Sequence, residues 1–216
     1  APRSSANWFE EQVTLLASAE RGRIGVAAVD LVTGRSIGVL SDQPFPLAST
    51  SKIAVVATYL EMVDAGRYRL DDQFPLMVPV PSRKYSTTSA PVRQGSYISA
   101  AGLIDLALTR SDNQATDALL AAVGGPGAVT DWLRRAGISG IRMDRDIATL
   151  VRDDGQFNPV TTIHPRDSST PMTMVRRLRQ RARTASPAIR TILQRAQDGL
   201  VAMRPRRGAY VAEMSR

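Results

Sequence analysis

The sequence predicts an α/β chain in which a two-stranded hairpin precedes a long helical block. Three observations carry this. Residues 24–40 read as two short strands around a glycine turn, residues 53–67 form an apolar run of helical length, and three more helix patterns lie between 99 and 136. At 216 residues, 43% hydrophobic and 22% charged, the chain can bury a sizeable core as one domain or two intimate lobes.

Trp8, Phe9, Val13, Leu16 and Ala19 make a helical stripe. "RIGVAAVDLVTGRSIGVLS" follows as strands Ile24–Asp30 and Arg35–Leu40, with Gly34 in the turn to supply a positive φ. "IAVVATYLEMVDAGR" is apolar nearly all round, which predicts a central helix closed by Gly66. Residues 76–98 are rich in Pro, Ser and Thr and are expected as loop. Helices are expected at 99–110, 113–123 and 126–136, the last ending at Gly137. Residues 138–170 lack periodicity, as a functional loop does. Thr170 and Pro171 then supply the cap and first position of another helix, and a further one is expected at 187–197.

Composition excludes several functions. No apolar run reaches membrane-spanning length, and there is neither cysteine for disulfides nor more than one histidine (His164) for a metal site. The net charge of +8 comes from arginines clustered in 175–195 and 204–208. These lack the interleaved aromatics of a nucleic-acid surface and are expected as a solvated helix face.

Of 28 basic residues only Lys52 and Lys84 are lysine. Lys52 follows Ser49 by three positions in "FPLASTSK", so the two share a face of a first helical turn. A serine hydroxyl needs a base within reach, and a buried amine can be that base where a guanidinium cannot. A capping serine beside a solvated lysine is the structural alternative. "LTRSDNQATDALL" places Ser111, Asp112 and Asn113 between two helices, where the motif either caps a helix or offers a second hydroxyl and an amide to a substrate.

Ser-x-x-Lys followed by Ser-Asp-Asn is the signature of class A β-lactamases and penicillin-binding proteins. The chain resembles class A serine β-lactamases from its first helix to about residue 200. The hairpin leading into "LASTSK", the "SDNQATDALL" motif and "HPRDSSTPMTM", similar to the segment that closes that family's omega loop, carry the resemblance. It implies a β-lactamase/transpeptidase-like fold with an all-helical lobe and a sheet lobe flanked by helices. The divisions would be 1–45 for the first part of the α/β lobe, 46–170 for the helical lobe, and 171–216 for an incomplete return to the α/β lobe.

The resemblance also implies roles. Ser49 would be acylated, Lys52 would be the base, Ser111 would relay protons, Asn113 would hold the substrate amide, and Tyr85 would wall the cleft. Counting back from Arg166 puts Asn158 and Asp154 where the family has its water-holding asparagine and deacylating glutamate. The same count pairs Arg152 with Asp167 across the loop neck. A competing alignment, anchored on "GIRMDR" (140–145 with its leading glycine), puts Thr149 at the base position instead.

The family's Lys-Thr-Gly strand is absent, because no lysine follows Lys84. A truncated chain, or one completed by a second polypeptide, is therefore expected. The implied partner is a small-molecule β-lactam, with no nucleic acid, membrane span, metal or cofactor, and the implied location is periplasmic or secreted. A penicillin-binding DD-peptidase and a non-catalytic binding domain are the alternatives.

Overall fold

The computed structural model describes residues 5–19, 22–30, 33–158 and 161–175. The expected helix at 187–197, both arginine clusters past residue 175 and most of the helix begun at Thr170 lie outside them. Helix α1 (Ser5–Ala19) precedes strands β1 (Val26–Val29) and β2 (Ser36–Val39), which pair antiparallel with Val26 opposite Val39. Gly34, at φ 76°, takes the left-handed position that the turn requires. Strand β3 (Phe45–Pro46) then leads into a 3₁₀ turn, Ala48–Thr50, continuous with helix α2 (Ser51–Asp64).

Helix α2 is central, as its apolar composition predicts. Val55, Val56, Tyr59 and Leu60 are buried, and it packs against α3 (Ala100–Thr109), α4 (Asn113–Ala122) and α5 (Gly125–Arg135). Gly66 closes it at φ 69°. The core runs from Leu47 to Met143, so this helical block carries most of the burial. Each fully buried aliphatic side chain there contributes about 1.5–3 kcal/mol relative to exposure.

Two expectations need correction. Residues 76–98 are loop only at 80–91: β4 (Gln73–Pro79) pairs antiparallel with β5 (Val92–Ser99) and packs on α4. Proline misled because Pro79 stands at a strand end, and Pro75, just before this stretch, stands where the register shifts. A two-stranded ribbon tolerates proline in both places. Residues 138–170 are also more ordered than their lack of periodicity suggests. They contain β6 (Ile141–Arg142), α6 (Ile147–Arg152) and β7 (Ser168–Ser169). These elements are too short for a period to show. Strand β7 lies between β3 and β6, which ties the end of this segment to the chain just before Ser49. Thr170 caps as expected, its Oγ1 accepting from the Thr173 N–H at 3.1 Å.

Candidate active site

Ser49 is exposed in the 3₁₀ turn, one residue after Ala48, which is held at φ 43°. A left-handed alanine is unfavourable by about 1–2 kcal/mol, so its surroundings must over-determine it. They do. The Leu47 N–H donates to the Asp167 carbonyl at 2.8 Å, and the Ser51 and Thr50 hydroxyls donate to Ala48 and Leu47 carbonyls. The turn that carries Ser49 is therefore held by one backbone bond from outside and by two side-chain hydroxyls of its own.

Ser111 comes to the same place from the α3–α4 connection. It also has a positive φ, 54°, and its hydroxyl donates to Ser49 Oγ at 3.1 Å. Asp112 makes the capping bond, accepting from the Ala115 N–H at 2.8 Å. The motif thus does two jobs: its aspartate caps α4, while its serine is free to face Ser49.

Lys52 is 4% exposed, and its Nζ donates to Asn113 Oδ1 at 2.7 Å. Burial lowers the pKa of the amine, while Asp117 and Asp112 act in the opposite direction. Its hydrogen bond goes to Asn113 and not to Ser49. The four residues Ser49, Lys52, Ser111 and Asn113 nonetheless form two bonded pairs across the α2–α4 contact.

The neck of the following loop departs from the count based on Arg166. Arg145, not Arg152, pairs with Asp167, with Nε to Oδ2 at 2.7 Å. Asp167 also accepts from the Asp144 and Arg145 N–H groups. Arg152 pairs instead with its neighbour Asp153 at 2.8 Å and donates to the Ser86 and Thr88 carbonyls. Asp153 accepts in turn from the Tyr85 N–H at 2.8 Å, and the hydrogen bonds of the pair hold its carboxyl below the ordinary range. The alignment anchored on "GIRMDR" is the one the neck follows. Thr149, its base position, is buried with Oγ1 accepting from the Ala90 N–H.

The description "Beta-lactamase enzyme family" matches residues 8–213. The chain belongs to the β-lactamase family. Beta-lactamase L2 of Stenotrophomonas maltophilia is 33% identical over 184 residues, which is 83% of this chain and 56% of that protein. The chain therefore spans little more than half of that relative's length. An ancestral Gram-negative class A β-lactamase (GNCA) superposes with a TM-score of 0.66 at 34% identity, over 89% of this chain and 70% of the other. A β-lactamase from Xanthomonas campestris pv. campestris superposes at 0.67 with 27% identity, over 86% and 67%. The β-lactamase/transpeptidase-like fold expected from the sequence is the fold of these neighbours.

The remaining expected site residues lie in the turn after α6 and in the 80–91 connection. Asp154 is exposed in the turn after α6, and its assignment loses the support of the Arg152 pairing. Asn158 is exposed as well, its carbonyl accepting from Thr161 and Thr162. Tyr85 is half-exposed at φ 58°, bonded to α6 through its backbone. Among the hydrogen bonds of Ser49, Lys52, Ser111 and Asn113 there is no carboxylate. Sequence reasoning passed over Asp117, although an aspartate four residues after Asn113, among alanines and leucines, was a visible signal.

Proposed function

We propose that this chain carries the acylating half of a serine β-lactamase site and that the whole protein hydrolyses β-lactams through an acyl-Ser49 intermediate. The observation that carries this reading is the paired geometry, Ser111 to Ser49 and Lys52 to Asn113, on a chain of this family. Neutral Lys52 takes the Ser49 proton as Oγ attacks the lactam carbonyl carbon. The lactam C–N bond breaks, and the leaving nitrogen is protonated through the Ser111 hydroxyl. Asn113 holds the substrate's side-chain amide, and Tyr85 walls the cleft. The reading requires a Lys-Thr-Gly-like strand, which residues 85–216 do not supply, so it applies to the longer protein or to an assembly with a second polypeptide. Among the described residues no helix is long and apolar enough to cross a membrane. Location in the periplasm or outside the cell belongs to the same reading.

A penicillin should add its mass to the protein at Ser49, and Ser49→Ala should abolish the adduct. An adduct that persists in Ser49→Ala overturns the assignment. Deacylation falls to the turn after α6, where Asp154 and Asn158 would hold the water. Because Asp154 is exposed and outside the bonded group, acylation should outrun hydrolysis, giving a burst and then a slow steady rate. Asp154→Asn should remove the slow phase and keep the burst. An unchanged steady rate excludes Asp154 and favours the alignment anchored on "GIRMDR", with deacylation through another residue, whereas a burst with no steady rate at all favours a penicillin-binding DD-peptidase.

A further inference from the structure

We propose that the Asp117 carboxylate is the buried counter-charge of Lys52 and couples that amine to the start of α6. The inference rests on the reading of Ser49 and Lys52 as the acylating pair for its functional meaning, but not for its geometry. Asn113 and Asp117 stand at i and i+4 on α4 and so share a face. Lys52 is tied to that face by its bond to Asn113. Asp117 is 6% exposed, and its two oxygens accept from the Ile147 and Ala148 N–H groups at 2.8 Å each.

Two backbone donors explain an acceptor-only group at this position, since an amide would turn its NH₂ against one of them. They do not neutralise its charge. The groups acting on Asp117 are Asp146, a like charge capping α6, and Lys52 from α2. Those acting on Lys52 are Asp117 and Asp112. Of the other charges on elements packed on α4, Arg152 of α6 is paired with Asp153, Glu61 of α2 is half-buried, Asp64 of α2, Asp105 of α3 and Asp131, Arg134 and Arg135 of α5 are exposed, and β4 has none. Burial pushes the Asp117 carboxyl up to about 6, and burial pushes Lys52 down, each opposed by the other's charge. Asp117 is therefore a positioning residue that limits how readily Lys52 becomes neutral. It also fixes the first turn of the loop helix to the same charge.

The chain's two lysines make the test direct. Protein labelled with ¹³C at the lysine ε-carbon shows two signals, Lys52 and Lys84, assigned with Lys84→Arg. Asp117→Asn should lower the Lys52 titration midpoint by about one pH unit or more, as loss of a nearby opposite charge does, and leave Lys84 in place. An unmoved Lys52 midpoint overturns the proposal. Should the variant fail to fold, the unaltered protein decides. Its Lys52 signal should carry a second inflection near pH 6 as Asp117 ionises, and a flat trace there overturns the coupling. Penicillin labelling of a form that also supplies the Lys-Thr-Gly-like strand separates the two readings: no Ser49 adduct there, with the Lys52 response intact, sinks acylation and supports the coupling.

Discussion

At Lys52 the ammonium is disfavoured by burial, and an arginine at this place would stay charged whatever its surroundings. Lys52→Arg should therefore cut the Ser49 acylation rate by ~10²–10⁴-fold, the range expected for losing a general base. Stopped-flow adduct formation checks this, and a variant retaining most of its rate removes the amine from the chemistry. Asp117 gives a second residue-scale expectation, in stability. Its folded pKa of about 6 lies above the ordinary 3.8. The folded state thus binds more proton between those values. Its contribution is complete below the ordinary value and is lost as pH rises through about 6. Urea unfolding should show Asp117→Asn losing that slope. The gap between the two proteins should change by roughly 3 kcal/mol from pH 3.5 to 7.

The loop neck and α6 are tied to the rest of the fold by charged hydrogen bonds. At the loop neck, Asp167 receives two backbone N–H groups and the Arg145 guanidinium, and its own carbonyl receives Leu47. Asp167→Asn should destabilise by roughly 3 kcal/mol, as breaking a mostly buried pair does, which a shifted urea midpoint at constant m-value would register. Helix α6 is joined to the 80–91 connection by a separate set of bonds, centred on Asp153 and Thr149. Asp153→Asn weakens the bond to Tyr85 without touching the neck. Amide exchange at Tyr85 should then quicken about tenfold or more while Leu47 stays protected, which distinguishes the two clamps.

Across the whole molecule, burial is uneven. The core lies between Leu47 and Met143, whereas β1 and β2 form a two-stranded hairpin with no fully buried residue. On α1, Trp8, Leu15 and Leu16 are 57%, 63% and 71% exposed. A lone hairpin is marginal in water. Native-state hydrogen exchange on the 216-residue chain should show β1 and β2 amides opening at much lower free energy than those of α2 and α4. Equal protection across both regions would contradict this account.

How much of this was legible in sequence follows from the range of the interactions involved. The central helix α2, the glycine turns at Gly34 and Gly66, the Thr170 cap and the placing of Ser49 three residues before Lys52 are written in patterns a few residues long. An apolar stripe, a positive φ or a cap depends on neighbours within one helical turn, so composition at close spacing determines it. The β4–β5 ribbon, the choice of Arg145 over Arg152 and the seat of Asp117 on α6 were decided only in three dimensions. Either arginine satisfies the local chemistry of a neck pair equally well. What separates them is which backbone passes Asp167, 22 residues from Arg145, and that is set by β7 pairing with both β3 and β6. Asp117 likewise meets α6 30 residues away. Its burial follows from helix packing, which no spacing rule along the chain encodes.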